Sequence, residues 1–183
     1  MKKVTANMKI NSIILSELEV NFIVTWRKNL EDIRGDRAQL RRAANPQDVI
    51  NSPAFYRFLN FLKVIKPELY GTEKFTENKL LLLAIVAGLI ARVNPEGKAP
   101  FAQSLGHGER QYSEIRFQQL LQSRDEEEFF RRMGTAIHFV KGDVSVKDVC
   151  GCISSWYKEY KMSFKTKVSD QFKFQMASKY YQV

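Results

Sequence analysis

The sequence predicts an all-α protein, a single compact helical bundle of about seven to eight helices with a basic surface. Apolar residues recur mostly at intervals of three and four, which is the period of an amphipathic helix. The segments with this period begin at Ser, Thr or Asp residues, which cap helix N-termini. A chain of 183 residues has the size of one domain and buries enough apolar surface to fold without a metal ion or a disulfide.

The first part of the chain predicts an arm and two helices. Residues 1–15 carry lysines and no clear period, which indicates a flexible basic N-terminal arm. Ser16 is predicted to cap a first helix, which Gly35 ends. Asp36 is then predicted to cap a short second helix over residues 37–44.

The middle of the chain predicts the centre of the bundle. Ser52 and Pro53 begin a helix, with serine as the cap and proline at the first helical position. Thr76 begins the next helix, whose residues 80–90 are apolar on nearly all sides. A helix without a polar face has to be covered all round, so we expect this one to be central and buried.

Three further capped helices are predicted in the second half. They begin at Ser113, Asp125 and Ser145, and a short helical turn precedes them over residues 101–105. The helix after Asp125 opens with acidic residues, as the helix dipole favours.

These elements divide the chain into three predicted regions: the arm over 1–15, a helical core domain over 16–161, and a basic, aromatic C-terminal tail over 162–183. Residues 164–168 of the tail alternate like a strand, whereas its apolar residues from 168 to 180 recur every four positions. We expect the tail to be helical.

The composition excludes several classes of protein. The two cysteines, Cys150 and Cys152, point in different directions on a helix, so they are not expected to form a disulfide, which indicates a reducing cytoplasm. Two histidines and two cysteines are too few for a structural zinc site. The longest apolar stretch is too short to span a bilayer. No metal, cofactor, small-molecule substrate or membrane association is predicted.

No set of catalytic residues is found, so the protein is not predicted to be an enzyme. His138 falls beside a core-facing position and is interpreted as a core or boundary residue. His107 lies in a glycine-flanked loop without an obvious carboxylate partner. Residues 125–128 are interpreted as a solvated, dipole-matched helix start, and Cys150 as core packing.

The positive charge is in excess and is clustered. Lys and Arg number 29 against 20 Asp and Glu, which gives a formal net charge of +9. Such an excess indicates a polyanionic partner, either nucleic acid or an anionic membrane surface. The arginine fork matches phosphate oxygens, so we predict a surface that follows phosphates; solvated helix faces are the alternative interpretation. The predicted contacts in these charge groups are Arg37, Arg41, Arg42, Arg110, Arg116, Arg124, Arg131, Arg132, Lys158 and Lys161.

Several short motifs occur in a fixed order. They are Trp26 in the first helix, Gly-Asp-Arg-Ala-Gln-Leu-Arg-Arg-Ala at 35–43, Pro-Ala-Phe-Tyr-Arg-Phe-Leu at 53–59, Ser-Glu-Ile-Arg-Phe-Gln-Gln-Leu-Leu at 113–121, Arg131-Arg132, and Trp156 in a closing helix. In this order, over roughly residues 20–160, the chain resembles the small subunit of the type I-E CRISPR Cascade complex, the CasB family.

The resemblance implies an all-helical, non-enzymatic subunit of a crRNA-guided complex. It also implies two copies per complex, with other Cascade subunits, crRNA and target DNA as partners. The subunit would hold the displaced non-target strand and stabilise the R-loop, while guide pairing supplies the specificity. The residues that the motifs carry over are Arg41, Arg42, Arg57, Arg116, Arg131 and Arg132, and the glycine-broken loop adds Lys98 and Arg110.

Two other functions remain open from the residues alone. One is a free-standing basic helical DNA- or RNA-binding protein, such as a small repressor or accessory factor. It would require a helix-turn-helix, which the short helix over 37–44 and the following Pro46 fit poorly. The other is a protein that uses its lysine-rich C-terminal segment as a membrane-surface anchor.

Overall fold

The computed structural model describes residues 14–65, 76–107, 111–162 and 167–182. Over these residues the protein has ten α-helices, one 3₁₀ turn over Val168–Asp170, and no β-strand. Eight of the helices have at least seven residues, which confirms the predicted all-α class. In chain order the helices are α1 (Glu17–Asn29), α2 (Arg34–Arg42), α3 (Pro46–Ile50), α4 (Pro53–Ile65), α5 (Glu77–Ile90), α6 (Phe101–Gly106), α7 (Glu114–Leu121), α8 (Glu126–Phe139), α9 (Val146–Lys161) and α10 (Phe172–Tyr181).

Helix α5 is the centre of the bundle, as its apolar sequence predicts. Every residue over 82–90 is buried. Helices α2, α3, α4, α8 and α9 all pack against it. Because no face of α5 is polar, the surrounding helices cover it completely and turn their own polar faces outward. None of the described helices is long and apolar enough to cross a membrane.

Most of the predicted helix starts are confirmed by their hydrogen bonds. The hydroxyl of Ser16 accepts a hydrogen bond from the backbone N–H of Glu19, and the Glu19 carboxylate accepts one from the Ser16 N–H at 2.7 Å. This reciprocal pair is a capping box. The side chains of Thr76, Asp125 and Ser145 cap α5, α8 and α9 in the same way, each accepting from the N–H three residues later.

The boundary between the first two helices differs from the prediction. Helix α1 ends at Asn29, and Gly35 lies inside α2 rather than after α1. Asp36 is not a cap either, because its carboxylate is buried and accepts hydrogen bonds from Arg57 Nε at 2.7 Å and Nη2 at 2.5 Å. The Asp36 side chain, which the local sequence predicts to be a helix cap, instead pairs with Arg57 on α4.

Both ends of the described chain pack onto the core. Leu15 is buried, and its N–H donates to the hydroxyl of Ser154 at 2.9 Å. The remaining residues of the predicted arm, 1–13, lie outside the described residues, as do the strand-like positions 164–166. Helix α10 confirms the helix predicted in the tail, and the Tyr180 hydroxyl on it donates to the Tyr112 carbonyl at 2.5 Å.

The close packing around α5 gives a test. An added Cβ at Gly88 would lie 2.7 Å from the Phe130 ring and 2.8 Å from Val49 Cγ2. We expect Gly88→Ala to lower the free energy of unfolding by about 1–3 kcal/mol, because the filled core has to shift. Urea denaturation measures the change.

Gly151→Ala is the matched control. Gly151 also lies inside a long helix, but nothing approaches its added Cβ within 4 Å. This substitution should raise the free energy of unfolding by about 0.5–1 kcal/mol through helix propensity alone. A Gly88→Ala variant that gains stability like Gly151→Ala would contradict the close contact of α5 with α3 and α8.

Candidate nucleic-acid interface

Helix α2 carries three of the predicted arginines, and they are not equivalent. Arg37 is partly buried, with its Nη1 2.6 Å from Glu31 Oε2. Arg41 and Arg42 are exposed and make no ion pair with any residue that the structure describes. The last turn of α2 therefore offers two guanidinium groups to an external anion.

Arg57 is 57% exposed on α4 and is held by Asp36. The hydrogen bond from this guanidinium to the carboxylate raises the pKa of Arg57 above its ordinary value. Its side chain has five N–H donors, and the two hydrogen bonds to Asp36 leave the others available. Arg57 can thus contact a phosphate only as part of an existing ion pair.

Arg116 on α7 and Arg132 on α8 are two more of the predicted arginines. Burial raises the pKa of Tyr112, and the positive charges of Arg116 and Arg132 both oppose that rise. Arg116 is exposed on α7. Arg132 instead has its Nη2 2.5 Å from Glu128 Oε1 and donates through Nη1 to the Gln119 carbonyl, which ties α8 to α7.

An open groove separates the start of α3 from the start of α8. Residues 45–47 line one wall, and residues 124–128 together with Arg131 line the other. Arg124 and Arg131 are both exposed there. The acidic residues beside them are partly neutralised within the chain, because Glu126 pairs with Lys161 at 2.7 Å and Glu128 pairs with Arg132.

The remaining predicted contacts do not line this groove or lie outside the described residues. Lys98 is exposed in the loop before α6. Lys158 is half-buried on α9, and the Lys161 ammonium lies 4.8 Å from the Tyr160 ring centroid in addition to its pairing with Glu126. Arg110 lies outside the described residues.

Sequence reasoning missed two buried arginines. Arg27 is fully buried in the last turn of α1, where its Nε donates to the Val93 carbonyl at 2.7 Å. Arg92 follows α5, donates through Nη2 to the Ala43 carbonyl at 2.7 Å, and has its guanidinium 5.0 Å from the Phe130 ring centroid. In the sequence, the only indication of their burial is that each is a single cation next to apolar residues. Arg27 follows Trp26, and Arg92 follows the apolar residues of α5.

The environments of the histidine and cysteine residues that were considered for catalysis do not favour reactivity. His138 is exposed, so its interpretation as a core or boundary residue is wrong. Cys150 and Cys152 are buried and free, and the burial of Cys150 confirms its expected packing role. Burial raises the pKa of Cys152 to about 12 and also raises that of Cys150. Among the described residues, no group of three or more His, Cys, Asp or Glu side chains could hold a metal ion.

The fold and these clusters define a class of small, basic, all-helical proteins with exposed arginines on neighbouring helices. The sequence model of the family described as CRISPR-associated protein Cse2 matches residues 36–181. The chain therefore belongs to the Cse2 family, the small subunits of type I-E Cascade, as the motif resemblance predicted. The match continues beyond residue 160 and includes α10. No curated protein and no solved structure matches the chain.

Arg131 and Arg132 are adjacent on α8 but differ in their partners, which gives a second test. We expect Arg132→Ala to lower the free energy of unfolding by about 1–2 kcal/mol, because it removes an ion pair and a hydrogen bond to a carbonyl. Arg131→Ala removes the same side chain from an exposed position and should change stability by less than about 0.5 kcal/mol. Thermal and urea unfolding measure both, and equal losses would contradict the different environments of these two residues.

Proposed function

We propose that this Cascade subunit binds the backbone of nucleic acid without reading its sequence, and thereby stabilises the target R-loop and the displaced non-target strand. The Cse2 family implies a structural subunit of CRISPR interference, and we propose that this member is not catalytic. One observation carries the proposal: two exposed arginines, Arg124 and Arg131, line one wall of the groove between α3 and α8. The exposed Arg42 at the end of α2 precedes the residues of the other wall by three positions in the chain.

The energetics of strand exchange explain why such contacts matter. An R-loop replaces one duplex by another of similar stability, so a few additional backbone contacts shift the balance. Each arginine that meets a phosphate releases a condensed counterion, which makes the gain independent of sequence and sensitive to salt. In this proposal the guide RNA selects the target, and the basic surface holds the strands apart.

We further propose that the partners are the other Cascade subunits, crRNA and target DNA, with two copies of this chain per complex in the cytoplasm. Exposed apolar side chains support contacts with other subunits. Val64 is 80% exposed, Ile115 is 73% exposed and Tyr56 is 58% exposed. A subunit that is buried in an assembly uses such side chains as contact residues.

Purification from the native cell tests the partners. The tagged chain should recover several partner proteins together with a short repeat–spacer RNA. Recovery of the chain alone, or with a mixture of unrelated nucleic acids, would instead favour the free-standing binding protein.

The contacts themselves are tested in the assembled guide complex. We expect Arg116→Ala combined with Arg131→Ala to shorten the lifetime of the R-loop. The slope of log affinity against log salt should become shallower by about two, since each lost phosphate contact reduces it by about one. The preference for the guide-matched sequence should stay unchanged.

Lys147→Ala combined with Lys173→Ala provides the control. It removes the same charge from exposed positions on α9 and α10 that do not line the groove. This control should keep both the R-loop lifetime and the salt slope of the unmodified complex. The assignment of Arg116 and Arg131 fails if their double variant behaves like the lysine control.

A further inference from the structure

Four arginines lie where the end of α1, helix α2 and the turn after α5 meet, and one carboxylate there, Glu31, pairs with two of them. Glu31 is 2.7 Å from Arg27 Nη2 through Oε1 and 2.6 Å from Arg37 Nη1 through Oε2. Arg27 Nε donates to the carbonyl of Val93, the residue after Arg92, and Arg92 Nη2 donates to the carbonyl of Ala43, two residues after Arg41. The positive charge of Arg41 lowers the pKa of both Arg27 and Arg92. The cluster therefore holds four cations against one anion among the described residues.

Two of these arginines, Arg27 and Arg92, are in surroundings that disfavour the charged form of the guanidinium group. Burial is the main cause that lowers the pKa of Arg27 and of Arg92, and the charge of Arg41 lowers both further. Glu31 partly offsets this at Arg27, whereas no carboxylate among the described residues does so at Arg92. A buried cation without a matching anion is costly, because it has lost its hydration without a full replacement.

The hydrogen-bond donors of the cluster are also incompletely used. Arg27 Nη1, Arg37 Nε and Arg92 Nε are buried, and no described residue supplies an acceptor to them. Buried donors are paired in the great majority of cases, so three orphaned guanidinium nitrogens within one cluster call for a specific reason.

Three of the four arginines reach solvent. Arg41 is exposed, the Arg37 side chain is 30% exposed, and Arg92 is partly exposed. Arg27 has no exposed surface. Guanidinium groups present planar forks that match the oxygens of a tetrahedral anion, and such charge-assisted hydrogen bonds are strong.

We propose that Arg37, Arg41 and Arg92, together with the buried charge of Arg27, form an oxyanion site that takes a phosphate group. The group is either inorganic phosphate or a phosphodiester of a nucleic-acid backbone. The backbone case rests on the proposed function, whereas the site itself rests only on this cluster. It is separate from the groove that contains Arg124 and Arg131.

Thermal unfolding of the full chain tests the site, with inorganic phosphate as the probe and sodium chloride at equal ionic strength as the reference. Phosphate should raise the Tm in a saturable way, because it binds the folded chain alone. Arg41→Gln should weaken the apparent phosphate affinity by about tenfold. Without phosphate, the same variant should have a higher Tm than the unmodified chain, because it removes a charge that repels Arg27 and Arg92.

Arg34→Gln is the matched control for this experiment. It removes the same charge from another exposed position of α2, and Arg34 is not among the charges that act on Arg27 or Arg92. Its phosphate affinity should stay within about twofold of the unmodified chain. Glu31→Gln should act in the opposite direction to Arg41→Gln: a lower Tm without phosphate and a tighter phosphate affinity.

A mixed-sequence single-stranded oligonucleotide distinguishes the two sources of phosphate. Competition between the oligonucleotide and inorganic phosphate, weakened by Arg41→Gln, would identify the backbone as the occupant. Saturable stabilisation by phosphate without such competition would identify the free anion. The proposal is overturned if phosphate stabilises no more than chloride does, or if Arg41→Gln and Arg34→Gln lose phosphate affinity equally. Because these readouts use the isolated chain, failure here is distinguishable from failure of the R-loop experiment.

Discussion

Helix α5 has no polar face over residues 82–90, and the requirement to cover it on all sides organises the rest of the bundle. Five other helices pack against it, and each of them can bury only one face. Gly88 lets the Phe130 ring and Val49 approach closely enough to fill the space around it. The charged faces of the surrounding helices therefore point outward, and a chain with a large excess of cations displays most of that excess on its surface.

The charges that do enter the interior show how the bundle tolerates them. Lys79 and Glu19 are both buried, and their charged atoms are 2.7 Å apart. Lys79 also donates to the Ile14 carbonyl at 2.8 Å, so the pair joins the start of the described chain to α5. Burial of an ion pair is tolerated when its partners satisfy each other. The arginines around Glu31 are not balanced in this way, and this imbalance sets their cluster apart from an ordinary structural ion pair.

The basic residues differ more clearly in whether they pair with a carboxylate of the chain than in how exposed they are. Arg37, Arg57 and Arg132 each form an ion pair with a carboxylate, so these three side chains contribute to the packing of the chain itself. Arg41 and Arg131 are exposed without such a partner among the described residues, and their charges are available to an external phosphate. In the proposed function, a polyanion in the assembled complex would offset the mutual repulsion of these cations.

Features that depend on a few neighbouring residues can be predicted from the amino-acid sequence alone. The helical period, the apolar run of α5 and the caps at Ser16, Thr76 and Ser145 are local, and the structure confirms each of them. The order of the basic motifs was also enough to indicate the family.

The pairing of individual charges depends on how the helices pack, because their partners are distant in the chain. Asp36 accepts from Arg57, 21 residues away, although its local pattern indicates a cap. Arg27 is buried against the carbonyl of Val93, 66 residues away, and nothing next to Arg27 in the sequence indicates that partner. The helical period fixes which residues share a face, but the packing of other helices decides whether that face meets solvent, a carboxylate or the core.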